Sequence, residues 1–287
     1  MSYYTVLGFE KEPFSTSPDP EFFYQSSEHK AALTNILIEI RLKRGLSVVL
    51  GDIGVGKTTL SRKLFQVLSI KENIDHYLVL DPSYDSEHMF LLSLVRTFGI
   101  ELKSDSLNTL DLKEVIKKFL FQKGVNEKRT IVLLIDEAQK LNPISLELLR
   151  MLLNYETNEF KILQLVLLGQ MELLPRLLSI RNFTDRISLR YMLAPFNRED
   201  AGEMISFRIR QACYQGSEDL FTEDAITQIY QHTQGYPRRI AMTCHKALKF
   251  IVMKNRPIVT EEIIKEIIDT EVRLGWHTKD LLLKSNY

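Results

Sequence analysis

The sequence predicts an α/β fold: a parallel sheet flanked by helices, followed by a small all-helical domain. Three observations carry this reading. A glycine-rich phosphate-binding loop at residues 51–59 sits between a strand pattern and a helix pattern. Short apolar runs then alternate with stripes at helical spacing as far as residue 194. From Pro195-Phe196-Asn197 onward only helical stripes follow.

Residues 1–26 are aromatic and punctuated by proline, with Tyr3, Tyr4, Phe9, Phe14, Phe22, Phe23 and Tyr24 among Pro13, Pro18 and Pro20. That spacing excludes a long helix. The segment reads as an extended arm laid on the domain surface and held by aromatic anchors. A helix follows, capped by Ser26 or Ser27, with Leu33, Ile36, Leu37 and Ile40 on one face and Gly45 after it. Leu46-Ser47-Val48-Val49-Leu50 reads as a buried strand.

The loop Gly51-Asp52-Ile53-Gly54-Val55-Gly56-Lys57-Thr58-Thr59 has the pattern glycine, four residues, Gly-Lys-Thr. Gly51, Gly54 and Gly56 let the backbone turn tightly and present its N–H groups to a triphosphate. The helix that starts near Lys57, with Leu60, Leu64, Phe65 and Leu68 as its apolar stripe, turns its positive end to the same anion. Lys57 is placed to reach the β- and γ-phosphates and the Thr58 hydroxyl to meet Mg²⁺, so ATP and Mg²⁺ are the expected cofactors.

Further on, Tyr77–Asp81 reads as a second strand. A helix runs from about Ser86 to Gly99, and another from Thr109 to Lys123 with Gly124 as its stop. Ile131–Ile135 is a central strand ending in Asp136-Glu137. In parallel sheets the ligand lies at that edge, which suits Asp136 to organise Mg²⁺ and Glu137 to deprotonate the attacking water. Asn142-Pro143 opens the next helix. Leu163–Leu168 is a strand ending at Gly169-Gln170, where Gln170 is placed to meet the γ-phosphate or the water. Arg181, Arg186 and Arg190 surround the last strand, Ile187–Leu193. Four helices complete the chain, and residues 273–287, with Trp276, read as a loosely held tail. The expected boundaries are thus an arm over 1–26, a nucleotide-binding core over 27–194, a helical lid over 195–272 and the tail.

Composition narrows the function classes. Lys+Arg and Asp+Glu both number 37, so no global charge marks a nucleic-acid or membrane-surface binder. The two cysteines, Cys213 and Cys244, lack metal-like spacing and read as core residues of a reduced, cytoplasmic protein. No apolar run is long enough to cross a bilayer, so direct membrane insertion is not expected.

These motifs together resemble the AAA+ ATPases, and more closely the ExeA-type ATPases of bacterial secretion and pilus-assembly systems. The residues that carry the likeness include Ser17-Pro18-Asp19-Pro20, Asp136-Glu137-Ala138-Gln139, Gly169-Gln170-Met171-Glu172-Leu173, Asp185-Arg186-Ile187 and Gly235-Tyr236-Pro237-Arg238-Arg239. The resemblance implies ATP held between the sheet domain and the lid. It implies Gln170 as a first sensor, Arg238 as a second sensor, and Arg186 as a finger that reaches a neighbouring subunit's ATP in an ATP-dependent homo-oligomer. It also implies envelope secretion or pilus components as partners. The best-known members carry a transmembrane helix and a peptidoglycan-binding domain after the ATPase. Neither follows here, so the expectation is a stand-alone module coupled through a partner. The alternative function is an ATP-dependent DNA-binding regulator of transposition, which the neutral charge balance does not favour. A scaffold that binds nucleotide without hydrolysing it fits the Glu137 position less well, and a small-molecule kinase fits the lid helices less well.

Overall fold

The structure is a computed structural model that describes residues 2–102, 107–216 and 219–274. The chain divides into two units: Ser27–Ala194, and Met1–Ser26 together with Pro195–Tyr287. In chain order, a four-residue helix α1 (Tyr3–Val6) precedes an irregular stretch and a 3₁₀ turn at Pro20–Phe22. Helix α2 (Ser27–Arg41) then opens the first unit.

That unit is a five-stranded parallel sheet in the order β2-β3-β4-β1-β5. Its strands are β1 (Leu46–Gly51), β2 (Ile74–Val79), β3 (Thr130–Ile135), β4 (Leu163–Gly169) and β5 (Ile187–Leu193). Helices α3 (Lys57–Ser69), α4 (Glu87–Thr97), α5 (Thr109–Phe121), α6 (Pro143–Leu152) and α7 (Leu173–Ser179) connect them. The central strands β1, β3 and β4 are almost wholly buried, which is why they read as continuous apolar runs rather than alternating ones. Helix starts follow the capping chemistry of the sequence. Ser86 accepts from the Met89 N–H, Asn108 forms a reciprocal box with Asp111, and Asn142 accepts from the Ser145 N–H ahead of Pro143.

Two elements differ from the sequence reading. Strand β2 spans Ile74–Val79 rather than Tyr77–Asp81, because its extent is set by pairing with β3 from Ile74↔Thr130 to Val79↔Ile135. Helix α5 does not stop at Gly124: the backbone widens into a π turn over Gln122–Asn126.

The second unit contains helices α8 (Arg198–Gln211), α9 (Glu223–Thr233), α10 (Pro237–Lys254) and α11 (Glu261–Arg273). Its apolar core includes Met204, Ile229, Leu248 and Ile264, and the N-terminal Phe9, Phe14 and Phe22 lie inside it. The first residues therefore complete the core of the helical unit, with α1 and the 3₁₀ turn replacing the fully extended arm expected. The Arg208 guanidinium donates to the carbonyl of Ser15 at 2.9 Å, and the Glu10 N–H donates to the carbonyl of Ala212. Cys244 is buried in this core, but Cys213 is exposed at a positive φ just after α8, contrary to a core role for both. Residues 275–287, which hold Trp276 and most of the expected tail, lie outside the described residues. Among the described residues no helix is long and apolar enough to cross a membrane.

Candidate functional site

The sheet brings three strand ends together. β4 pairs with both β3 and β1, so the loops after β1, β3 and β4 emerge side by side at one edge. The phosphate loop follows β1, Asp136-Glu137 follows β3, and Gln170 follows β4. Of the residues singled out in this unit, Gly51 to Thr59, Asp136, Glu137 and Gln170 thus share that edge.

Within the loop, Gly56 adopts φ 102°, and a Cβ on it would lie 2.9 Å from Nε2 of His29. Both facts require glycine there. His29, on α2, is 1% exposed and its Nε2 lies 3.0 Å from the Val55 carbonyl oxygen. A histidine beneath the loop thus anchors its turn, a contact that no local sequence pattern announces. Val55 is fully buried, whereas Asp52 and Ile53 are exposed at the loop tip.

Lys57 is 6% exposed, and its Nζ donates to the carbonyls of Gly51 at 2.8 Å and Asp52 at 2.7 Å. Burial pulls its pKa below the usual lysine value, while Glu137, Asp136, Asp52 and Glu172 oppose that pull. Asp136 is 1% exposed, and burial pushes its carboxyl above the ordinary range. The Thr58 hydroxyl, the Glu137 N–H at 2.9 Å and the Ser61 hydroxyl at 3.3 Å all bond to it and favour the ionised form. Ser61, one turn along α3 from Thr58, is a site residue that the motif does not include.

Glu137 is half-buried and takes φ 52°, ψ 35°, a left-handed conformation uncommon outside glycine. Its Oε2 accepts from Gln139 Nε2 at 2.7 Å. The Oε1 of Gln139 in turn accepts the backbone N–H of Gln170 at 3.1 Å. Arg176 on α7 donates to the carbonyls of Gln139 and Leu141 at 2.6 and 3.0 Å, fixing the turn that carries the acids. Gln139 and Arg176 escaped the sequence reading as site residues: Gln139 lies two residues from Glu137, but only the pairing of β3 with β4 brings the end of β4 and helix α7 against that turn.

The arginines are placed apart from this edge or in the other unit. Arg186 ends the 3₁₀ turn before β5. Its Nε is buried and finds no hydrogen-bond partner among the described residues. β5 runs parallel to β1, with Ile187 opposite Leu46 and Leu193 opposite Gly51. Arg186 therefore lies at the far end of the strands from the phosphate loop, about 20 Å away at roughly 3.3 Å per residue. Arg181 and Arg190 are exposed, and Arg190 donates to the Thr184 carbonyl at 2.9 Å. Arg238, the second residue of α10, is exposed in the helical unit, while its neighbour Arg239 lies 4.6 Å from the Tyr236 ring centroid. Of the two adjacent arginines, Arg239 is engaged by a cation–π contact.

The residues present suit a magnesium nucleotide. Among the described residues no group of three His, Cys, Asp or Glu side chains is placed to hold a metal by itself. Mg²⁺ is commonly held by one or two protein oxygens together with substrate phosphates, a set that Thr58, Asp136 and a triphosphate would supply.

Comparisons with known proteins agree with this arrangement. Residues 40–177 match the family model described as an AAA domain. Over 249 residues the chain is 36% identical to the General secretion pathway protein A of Aeromonas hydrophila, covering 86% of this chain and 44% of that protein. The chain thus spans under half the length of that relative. In fold it resembles the Aeropyrum pernix ORC2 protein, solved as ADPNP–ADP complexes, with a TM-score of 0.65 and 15% identity over 92% of this chain and 72% of that one. It likewise resembles the Aeropyrum pernix ORC1 protein in complex with DNA, with a TM-score of 0.65 and 15% identity over 93% of this chain and 69% of that one. Phosphate loop, acidic strand end, sheet order and trailing helices agree with these likenesses: the chain has the AAA+ fold, with residues 40–177 matching the AAA domain, and within that fold it resembles the ExeA-type proteins.

Proposed function

We propose that this protein binds ATP with Mg²⁺, hydrolyses it, and uses the cycle to power or regulate assembly of a bacterial secretion or pilus apparatus. The observation that carries the chemistry is the convergence of Lys57, Thr58, Asp136, Glu137 and Gln170 at one edge of the sheet. The secretion assignment rests on the likeness to General secretion pathway protein A.

In this reading the loop N–H groups and the N-terminus of α3 bind the phosphates, and Lys57 leaves the Gly51 and Asp52 carbonyls for the β- and γ-phosphates. When bound, Mg²⁺ neutralises charge that develops on the phosphate oxygens. Thr58 and Asp136 orient it. Glu137 takes the proton of the attacking water, and Gln170 orients that water or the γ-phosphate. The residual role carried over by resemblance is that of Arg238 as a reader of the γ-phosphate. Arg238→Ala should weaken discrimination between ATP and ADP, measured as the ratio of their dissociation constants. An unchanged ratio would remove Arg238 from the site.

The main test separates binding from hydrolysis. Glu137→Gln should bind a labelled ATP analogue as the parent does and turn ATP over more slowly by about 10²–10⁴-fold. Lys57→Ala, the control, should weaken binding about 10–100-fold, the size of a charged hydrogen bond. Wild-type turnover in Glu137→Gln would place the base elsewhere. Steep, salt-dependent binding to duplex DNA would instead favour regulation of transposition.

A further inference from the structure

Gln139 touches both polar strand ends at once. Its Nε2 donates to Glu137 Oε2 at 2.7 Å, and its Oε1 accepts the Gln170 N–H at 3.1 Å. We propose that Gln139 is a positioning residue for hydrolysis, which holds the Glu137 carboxylate in one orientation and ties that orientation to the end of β4.

The geometry makes the amide the suitable group. A glutamine side chain carries a donor and an acceptor on one rigid plane, so seating either end fixes the other. The acceptor end is seated on the backbone of Gln170, directly after β4, and the carbonyl of Gln139 itself is held by Arg176 at 2.6 Å. Both anchors of the amide are thus set by the fold and not by the acid. The donor end then meets Glu137, whose backbone is in a left-handed conformation at φ 52°. That conformation aims the carboxylate, and the amide selects its rotamer. One carboxylate oxygen is engaged by Gln139, which leaves the other to take a proton from water.

The link also runs toward the ligand. Gln170 gives its N–H to Gln139 and offers its side chain at the edge where the γ-phosphate is expected. A shift of Gln170 on γ-phosphate binding therefore moves the Gln139 amide and, through it, Glu137. Gln139 thus couples recognition of the phosphate to aim of the base. This inference rests on the reading of Glu137 as that base.

The test is a double-mutant cycle in the full chain, with steady-state ATP turnover and binding of a non-hydrolysable ATP analogue measured on each variant. Gln139→Ala should lower kcat about 10–100-fold, as loss of a supporting contact to a catalytic group does, and leave KM and analogue binding within about twofold. Gln139→Glu keeps an acceptor for the Gln170 N–H and loses the donor to Glu137, so it should show the same loss of kcat. In the Glu137→Gln background there is no base to aim, and Gln139→Ala should change kcat by less than about twofold. Losses that multiply in the double variant, an unchanged kcat in Gln139→Ala, or a defect confined to KM or to analogue binding would each overturn the inference. Wild-type turnover and the Glu137→Gln single variant read the proposed function by themselves. If Glu137→Gln turns ATP over normally, that reading and this one fall together; if it is slow and the Gln139 variants are not, only this one falls.

Discussion

Asp136 and Lys57 carry opposite charges into the interior of the sheet unit, at 1% and 6% exposure, and burial of that kind costs stability unless pairing and hydrogen bonds offset it, so it marks a candidate functional site. For Asp136 the cost has a pH signature. Burial is the largest cause that lifts its carboxyl above the ordinary value, against the hydrogen bonds from Thr58, Glu137 and Ser61. Its folded pKa therefore lies above its unfolded one. Below the unfolded value of about 3.9 both states hold a neutral acid and no penalty arises. As pH rises through the folded value, the folded state must ionise a buried group, and stability is lost. Asp136→Asn should thus raise Tm at pH 7, and the gain should vanish below about pH 4. The same change should abolish stimulation of hydrolysis by Mg²⁺. A lower Tm at pH 7 would mean that the three hydrogen bonds outweigh burial. The acid was legible for another reason: a carboxylate at the end of an apolar strand is ordinary as a turn residue, and stands out once a phosphate loop accompanies it. Gln139 carried no such anomaly. A glutamine in a polar turn is ordinary until β4 is placed beside β3.

At the scale of elements, legibility followed burial. The central strands β1, β3 and β4 were readable as apolar runs because both faces are covered. β2 lies at the edge of the sheet, and only Val79 of its residues is buried. Its apolar run therefore marked the wrong span: Leu80 is 47% exposed and lies beyond the strand, while polar Asp75 and His76 lie within it. Gly124 misled for a different reason. A glycine after an amphipathic stripe reads as a helix stop, but Gly124 is buried inside the π turn that follows α5. A Cβ there would lie 2.5 Å from Ile162 Cγ2, and Ile162 is itself 2% exposed. The glycine is needed for close approach, not for a turn. Gly124→Ala should therefore destabilise the protein by about 1–3 kcal/mol, although alanine is the better helix former. Thermal unfolding should show a fall of roughly 2–4 °C per kcal/mol. Ile162→Ala removes the opposing methyl, so the double variant should lose less than the sum of the single losses. A Gly124→Ala variant as stable as the parent, or strictly additive losses, would mean that the π turn relaxes freely.

At the scale of the whole molecule, the question is where the positive charge for the γ-phosphate comes from once hydrolysis begins. In the sheet unit Lys57 is the cation proposed for the phosphates, and Arg176 is occupied by the carbonyls of Gln139 and Leu141. Arg186 is the arginine that the family resemblance singles out as a finger. It stands before β5, about 20 Å along the sheet from its own phosphate loop by the strand rise. Its Nε is buried without a partner among the described residues, and Glu147 and Glu156 lie within reach of its charge, although Arg150 and Lys161 are their principal partners. An arginine so placed is about 20 Å along the strands from its own phosphate loop, which leaves a nucleotide in another copy of the chain as the one it is proposed to serve. The prediction is therefore an ATP-dependent homo-oligomer with composite sites, in which a trans arginine contributes roughly 10³–10⁵ in turnover. Glu137→Gln and Arg186→Ala should each be nearly inactive alone. Mixed at equal concentration they form some interfaces that pair an intact Glu137 with an intact Arg186, and turnover should return to a substantial fraction of the parent's. The measurement is ATP turnover against mixing ratio at concentrations where the parent assembles. A mixture that stays inactive there, or an Arg186→Ala variant with full activity, would assign the charge to a different residue. Rescue would tie hydrolysis to assembly, so that ATP is consumed only by subunits already in place.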